Sequence, residues 1–316
     1  MKLRRLGNSG LQVSVVGLGC NNFGRIELEA TRATIHKALD VGITLFDTAD
    51  TYAPGKPGSS EEAMGQVLGD RRKDIVLATK FGMPMDTVGI KKGGSRRYIM
   101  SEVEDSLRRL KTDYIDLYQL HRPDAETPIE ETLRSMDDLV RQGKVRYIGV
   151  SNMPAWQVVE AQWTAKSLGI NHFVSCQDEY SLLIRDVVER ELSGAMQKYG
   201  LGLLPFFPLA SGALTGKYRR NQPKPHGARL SAATPLAGRF LSETNLDIIE
   251  NLAQFCETRN HSMLELAFSW LLAKPQVSSV IAGATMPEQI EANAKAADWA
   301  LTADEVAEID KLTKKG

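Results

Sequence analysis

Four polar residues stand at or just past the ends of apolar, β-rich runs. Asp47 and Tyr52 fall in Leu45-Phe46-Asp47-Thr48-Ala49-Asp50-Thr51-Tyr52, Lys80 in Ala78-Thr79-Lys80-Phe81, and His121 in Gln119-Leu120-His121-Arg122-Pro123. An acid, a phenol, an amine and an imidazole brought to one place make a proton-donating site. A free phenol, with a pKa of about 10, is a weak acid at neutral pH. A nearby ammonium lowers that value by stabilising the phenolate. Lys80 supplies the charge, Asp47 holds Lys80 protonated and in place, and His121 orients a carbonyl toward the phenol. Each residue alone has a plainer reading: a packed tyrosine with a wet hydroxyl, a lysine in a surface ion pair, a histidine closing a turn. Their recurrence on successive strand ends is what favours chemistry.

Eight such runs are spaced along the chain, at residues 13–20, 43–49, 75–81, 114–121, 146–152, 173–180, 202–209 and 278–285. Continuous apolar stretches such as Ile75-Val76-Leu77-Ala78 suit parallel strands covered on both faces. Helical spacing lies between them: Ile129, Leu133, Met136 and Leu139-Val140 form one apolar stripe. Ser101-Glu102-Val103-Glu104 predicts the start of another helix through a capping box. Residues 246–273 read as two helices broken near 259–262. Alternating β and α elements, eight times over, predict an α/β fold, a (β/α)8 TIM barrel whose strand ends converge on one mouth. Before the first strand, residues 3–13 turn at Gly7-Asn8-Ser9-Gly10 and predict a small N-terminal β-hairpin. Two long connections, 82–97 and 211–244, follow strand ends and are read as lids over the C-terminal face. One domain is expected over residues 1–316.

Composition narrows the function. Lys plus Arg and Asp plus Glu are 39 each, so no overall field recruits nucleic acid or an anionic membrane. No apolar run reaches the ~20 residues of a membrane span, and the N-terminus lacks the apolar core of a signal peptide. Three cysteines without a CxxC pair fit reduced thiols and a cytoplasmic location. No close Cys/His cluster suggests a metal, and none is expected. Gly17-Leu18-Gly19-Cys20-Asn21-Asn22 begins like a dinucleotide-binding GxGxxG but lacks the third glycine, and no helix start follows it.

The stretches Asp47 to Tyr52, Thr79-Lys80, Gln119 to Pro123, Gly149-Val150-Ser151-Asn152, and Gly283-Ala284-Thr285 with Gln289 and Asn293 closely resemble the aldo-keto reductases. The resemblance runs over nearly the whole chain and is strongest to the branch that includes potassium-channel beta subunits and many bacterial oxidoreductases. It implies hydride transfer from a nicotinamide cofactor to an aldehyde or ketone, with Tyr52 as proton donor, Asp47 and Lys80 as its support and His121 orienting the carbonyl. It also implies cofactor contacts. Ser151, Asn152 and Gln177, beside Asp47, fall where the carboxamide is held, although Ser151-Asn152 equally suits a helix cap. Phe206 falls where an aromatic ring stacks on the nicotinamide. Leu209, Ser211, Gly212 and Lys217 match a pyrophosphate-covering loop. Gly283, Thr285, Gln289 and Asn293 surround a helix start suited to the adenosine 2′-phosphate. Arg229 either reaches that phosphate or is an ordinary solvated loop charge.

The pattern departs from the family at Gly283 and Gln289, where some branches carry a Lys and an Arg, and at Ala292, where a Glu is common. NADPH (NADP+ in its oxidised form) is the expected cofactor, with NADH the alternative. A small-molecule carbonyl compound is the expected partner, with Phe23, Met83 and Phe206 lending apolar character to the mouth. The basic stretch Lys91-Lys92 to Arg96-Arg97 reads as favouring anionic substrates or as a solvated surface. An NAD-dependent sugar or alcohol dehydrogenase and an NADPH-binding regulatory subunit are the rival functions.

Overall fold

Strand parity decides which side chains reach the barrel interior. In the computed structural model, which describes residues 1–53 and 55–314, eight parallel strands curl into one sheet. They are β3 (Val16–Gly19), β4 (Leu45–Asp47), β5 (Val76–Phe81), β6 (Ile115–Leu120), β7 (Val145–Ser151), β8 (Ser175–Gln177), β9 (Gly202–Leu203) and β10 (Val280–Gly283). β10 pairs with β3, and each strand from β3 to β9 pairs with the next. The ring closes from β9 to the start of β10 through a parallel bridge between Leu203 and Val277 and a hydrogen bond from Ile281 N to Pro205 O, 3.0 Å. Every predicted strand is present; all are shorter than their apolar runs except β7, which has the same length and starts one residue earlier.

Side chains two apart share a face. Leu45, Ala78 and Leu117 therefore point inward, where they pack with Leu204 and Ile281, while Phe46, Leu77, Phe81, Tyr118 and Leu120 pack outward against helices. Counting two residues further along the same inward rows gives Asp47 on β4, Lys80 on β5, and Gln119 then His121 at the end of β6. The polar cluster is thus the upper layer of the barrel interior, resting on an apolar one.

The lower opening is stoppered by the hairpin β1 (Leu3–Arg5) and β2 (Gln12–Ser14), whose Leu6 and Val13 join the inner apolar cluster. Gly7, with φ +57°, makes this turn possible: a Cβ there would stand 2.3 Å from Gly200 O.

The outer ring comprises α1 (Leu28–Asp40), α2 (Ser59–Val67), α3 (Arg96–Leu110), α4 (Ile129–Arg141), α5 (Ala155–Leu168) and α6 (Ser193–Tyr199). It continues through α7 (Pro235–Phe240), α8 (Glu243–Glu257), α9 (Met263–Leu272), α10 (Pro287–Lys295) and α11 (Ala303–Leu312). The stripe on α4 is buried at Leu133, Met136 and Leu139 as spaced, and the break between α8 and α9 falls at a capping box of Ser262 and Glu265. The Ser101 start is not observed. α3 begins five residues earlier, because Ser95 accepts from Tyr98 N and caps it, and Ser101 lies inside the helix. Of the two long connections, the first is irregular and knotted around Asp86, which accepts from the N–H groups of Gly89, Ile90 and Lys91. The second holds a 3₁₀ turn (Ala210–Thr215) and α7 before α8 begins.

Candidate active site

At the C-terminal mouth the strand ends enclose a cavity of about 640 Å³. Its wall contains Asp47, Tyr52, His121, Ser151, Asn152, Gln177 and Phe206, and also Leu209, Ser211, Gly212, Lys217, Arg229, Gly283, Thr285, Gln289 and Asn293. Lys80 lies just behind that wall, wholly buried. The residues assigned from the sequence to catalysis and cofactor binding are therefore brought together.

Lys80 Nζ donates to Asp47 Oδ2 at 2.7 Å, to Thr48 O at 2.8 Å and to the Tyr52 hydroxyl at 3.0 Å. An ammonium has three protons and no lone pair, so all three are engaged and the phenol oxygen is the acceptor. Tyr52 thereby keeps its own proton free to give away. Asp47 Oδ1 accepts from Gln177 Nε2 at 2.9 Å and from Gln119 Nε2 at 3.3 Å. The carboxylate is held on both oxygens, as a buried charge requires. The His121 ring meets Tyr52 edge-on, with centroids 5.9 Å apart.

Burial governs the protonation states. It lifts the Tyr52 phenol above its ordinary range, assisted by Asp47, and the Lys80 ammonium pulls the other way without offsetting it. The net lowering expected from Lys80 alone is thus not observed, because desolvation of a phenolate in this cleft is the larger effect. Burial also works against the Lys80 charge, yet Asp47 and Tyr52 together hold its pKa above the ordinary value. His121 is pushed down to about 3, first by burial and then by Lys80 and Arg122, so its imidazole is neutral near neutral pH.

A polar network outside the barrel fixes the segment that carries Tyr52. Beyond β4 the chain keeps pairing with β5, through Thr48 N to Ala78 O at 2.9 Å and Asp50 N to Lys80 O at 3.2 Å. Asp50 accepts from the Tyr98 hydroxyl at 3.2 Å. Glu61 on α2 accepts from Thr79 Oγ1 and from Arg109 Nε, both at 2.6 Å, and Arg109 also binds Glu102. Strand β5 and helices α2 and α3 are thereby tied together behind Lys80.

Several features bear on a nicotinamide cofactor. Ser151 Oγ donates to Gln177 O at 2.8 Å, and Asn152 Nδ2 donates to His121 O at 3.2 Å and Ser151 Oγ at 2.9 Å. They do not cap the next helix, since α5 starts at Ala155 with Pro154 as its cap. Phe206 lies on the wall with its ring edge against Phe207, centroids 5.4 Å apart. Phe207, Ala210 and Ser211 all have positive φ, and Ser211 Oγ is buried without a partner. Such strain concentrates where a loop must hold one shape for a ligand. Gly212 follows with φ +100°; a Cβ there would stand 3.4 Å from Lys217 Nζ, so a bare Cα keeps the ammonium side of the loop open. Arg229 Nη2 reaches Asn22 Oδ1 at 3.4 Å across the cleft. Gln289 Oε1 accepts from Thr285 N at 2.8 Å and secures the loop before α10, whose Ncap residue, Met286, makes no side-chain capping bond. The unpartnered hydroxyl, the aromatic ring and the cations on this wall fit a long, anionic, aromatic-ended molecule.

Sequence reading missed Gly19, Asn21, Asn22, Arg122 and Phe207 on this wall, and Gln119 beneath it. Gln119 was recoverable from the two-residue parity of β6; Asn21 and Asn22 were hidden in a loop with no period. One expectation for the mouth is corrected, and one open alternative is decided in favour of a solvated surface. Phe23 is fully buried in the outer core, and neither it nor Met83 lines the cavity. The basic stretch 91–97 also lies off it: Lys92 pairs with Glu126 and Arg96 with Asp138. Among the described residues no helix is long and apolar enough to cross a membrane.

Comparison with known proteins identifies the family. Residues 15–314 match the Aldo/keto reductase family. An L-glyceraldehyde 3-phosphate reductase of Escherichia coli strain K12 is 35% identical, covering 100% of this chain and 93% of the relative. A probable voltage-gated potassium channel subunit beta of Oryza sativa subsp. japonica is 39% identical over 94% of this chain and 92% of its own. A putative subunit of the same kind from Schizosaccharomyces pombe is 37% identical over 98% and 89%. The chain belongs to the aldo/keto reductase family and is an oxidoreductase.

Proposed function

We propose that this protein reduces aldehydes or ketones to alcohols with NADPH, and that Tyr52 donates the proton. The observation that carries the reading is the Lys80 ammonium, which touches Asp47 and the Tyr52 hydroxyl at once, with neutral His121 edge-on to the same phenol. The bound cofactor supplies a hydride to the carbonyl carbon. Tyr52 gives its proton to the carbonyl oxygen as negative charge builds there, and Lys80 takes up the resulting phenolate charge. Asp47 keeps Lys80 charged and fixed. His121, unable to carry charge at neutral pH, directs the carbonyl oxygen toward the phenol by hydrogen bonding.

Ser151, Asn152 and Gln177 are proposed to hold the carboxamide, and Phe206 to stack on the ring. Leu209, Ser211, Gly212 and Lys217 would close over the pyrophosphate. Gly283, Thr285, Gln289, Asn293 and Arg229 would receive the adenosine end. Gly283 is crowded by Asn21 and Asn22, both within 3.2 Å of where its Cβ would stand, so a longer side chain there must displace them. The discrimination between NADPH and NADH then rests largely on Arg229, because charge-assisted bonds exceed neutral ones from Thr285 or Gln289.

A panel of aldehydes and ketones assayed with NADPH and NADH in parallel tests the proposal. Reduction of several carbonyls with lower KM for NADPH is expected. Absence of carbonyl reduction with either cofactor overturns the activity, and a lower KM for NADH overturns the preference.

A further inference from the structure

The cavity wall is electrostatically lopsided. It contains three cationic side chains, Arg122, Lys217 and Arg229, and one acid, Asp47. Asp47 is already committed to Lys80, Gln177 and Gln119. Lys217 stands over Gly212 and Arg229 reaches Asn22, so both belong to the side assigned to the cofactor's phosphates. Arg122 belongs to neither place. It directly follows His121, at the end where Tyr52 presents its proton, and its charge is felt by the imidazole.

Among the described residues Arg122 also lacks an internal hydrogen-bond partner, and it forms no ion pair. The nearest acid along the chain, Asp124, is occupied by Gly94 N, Glu126 N and Thr127 Oγ1, and Glu126 pairs with Lys92. An exposed guanidinium with no acceptor among the described residues, on the wall of a reaction cavity, offers a planar fork matched to a carboxylate or a phosphate ester.

We propose that Arg122 is a specificity-determining residue that binds an anionic group, carboxylate or phosphate monoester, on the carbonyl substrate. The inference rests on the reductase reading above and adds a substrate class to it. Anion and carbonyl would be gripped by adjacent residues of one turn, so the substrate is a compact molecule with both groups at one end of the cavity.

The test uses the intact protein and two matched pairs: 4-carboxybenzaldehyde against 4-nitrobenzaldehyde, and 4-formylphenyl phosphate against 4-methoxybenzaldehyde. For each pair the charged-to-neutral ratio of kcat/KM is compared between the wild type and Arg122→Met, which cancels the intrinsic reactivity of the rings. A charge-assisted contact predicts a fall in the ratio of about tenfold or more in at least one pair, expressed in KM. The pair that responds identifies carboxylate or phosphate. Arg122→Lys should recover part of the loss, since it keeps the charge without the fork.

Ratios that stay within twofold in both pairs overturn the proposal. A loss of NADPH affinity in step with the loss of rate also overturns it, placing Arg122 on the cofactor. If the wild type reduces none of the four aldehydes with either cofactor, the reductase reading falls and this inference with it. Reduction of all four without charge dependence removes only Arg122.

Discussion

Lys80→Met should cost the protein both stability and proton transfer, and a second substitution should separate the two. The ammonium is fully buried and saturated by Asp47, Thr48 O and Tyr52. Removing it strands a buried carboxylate, which in other proteins costs about 3–5 kcal/mol. Asp47 keeps two amide donors, from Gln119 and Gln177, so the lower end applies, about 3 kcal/mol. At ~3 °C per kcal/mol for a chain somewhat smaller than this one, the melting temperature should fall by roughly 10 °C at pH 7. In Asp47→Asn/Lys80→Met the stranded charge is gone, and most of that loss should return. Catalysis should not return with it. Without the ammonium, burial still lifts the Tyr52 pKa, and kcat should stay down by about 10²–10⁴. Lys80 has a raised pKa in the fold, so its stabilisation is present below the ordinary lysine range and lost as pH rises through the folded value. The gap between the wild type and Lys80→Met should therefore be constant from pH 6 to 9 and narrow only above about pH 10.5. Calorimetry of the three proteins across pH, with single-turnover reduction at pH 7, reads all of this. A Lys80→Met protein that melts with the wild type would refute the reasoning, as would a double variant no more stable than the single one.

Tyr52→Phe should lower kcat by about 10²–10⁴ with the NADPH dissociation constant, read by fluorescence quenching, within about twofold; retained turnover would remove Tyr52 as the donor. Arg229→Ala should weaken NADPH about tenfold, equivalent to ~1.4 kcal/mol, while sparing NADH; equal weakening of both, or of neither, would take Arg229 off the 2′-phosphate. His121 titrates near 3, so kcat/KM should show no ionisation of His121 between pH 5 and 9, and a limb near pH 6.5 that vanishes in His121→Asn would contradict its neutrality. Asp178 is buried with Oδ2 unpartnered, and burial lifts its pKa to about 7. The unfolded chain gives up that proton near 3.9 and the fold only near 7, so stability drains away as pH rises through that window. Asp178→Asn should therefore raise the melting temperature at pH 8 and much less at pH 4; an equal change at both would refute the assignment.

What the sequence made legible follows from which patterns are local. Strand parity is local, so Asp47, Lys80 and His121 were readable as strand-end residues once the runs were found, and Gln119, though missed, was open to the same count. The hairpin turn at Gly7 was readable because only a few residue types tolerate its backbone. The start of α3 was misplaced because Ser95 and Ser101 both suit a cap, and only Gly93-Gly94 before Ser95 breaks the chain there. The mouth was less legible, since its far wall comes from residues 206–229, more than 150 residues from Tyr52 in sequence. Phe23 looked like a pocket residue for its type, yet it is buried in the outer core, because the turn after β3 packs against the start of α2, where Ser60 Oγ donates to Cys20 O. The burial that raises Tyr52 was invisible for a different reason: spacing shows which charges are near, and desolvation depends on how the whole cleft closes.

Desolvation gives the site its logic on the proposed reading. Burial penalises charge on both groups that face the carbonyl, phenolate at Tyr52 and imidazolium at His121, so both rest as neutral hydrogen-bond donors. The buried charge pair beside the phenol, Lys80 with Asp47, is closed on itself and presents no net charge to the cavity. A ground-state carbonyl therefore meets two modest donors, and an oxygen gaining negative charge meets the same donors strengthened in a water-poor cleft. The ammonium sits on the far side of the phenol oxygen, 3.0 Å away, where it becomes valuable only after the proton has left. An exposed lysine in its place would be compensated by water before and after transfer alike. The burial that raises the resting pKa of Tyr52 is thus the same burial that lets Lys80 favour the transition state over the ground state.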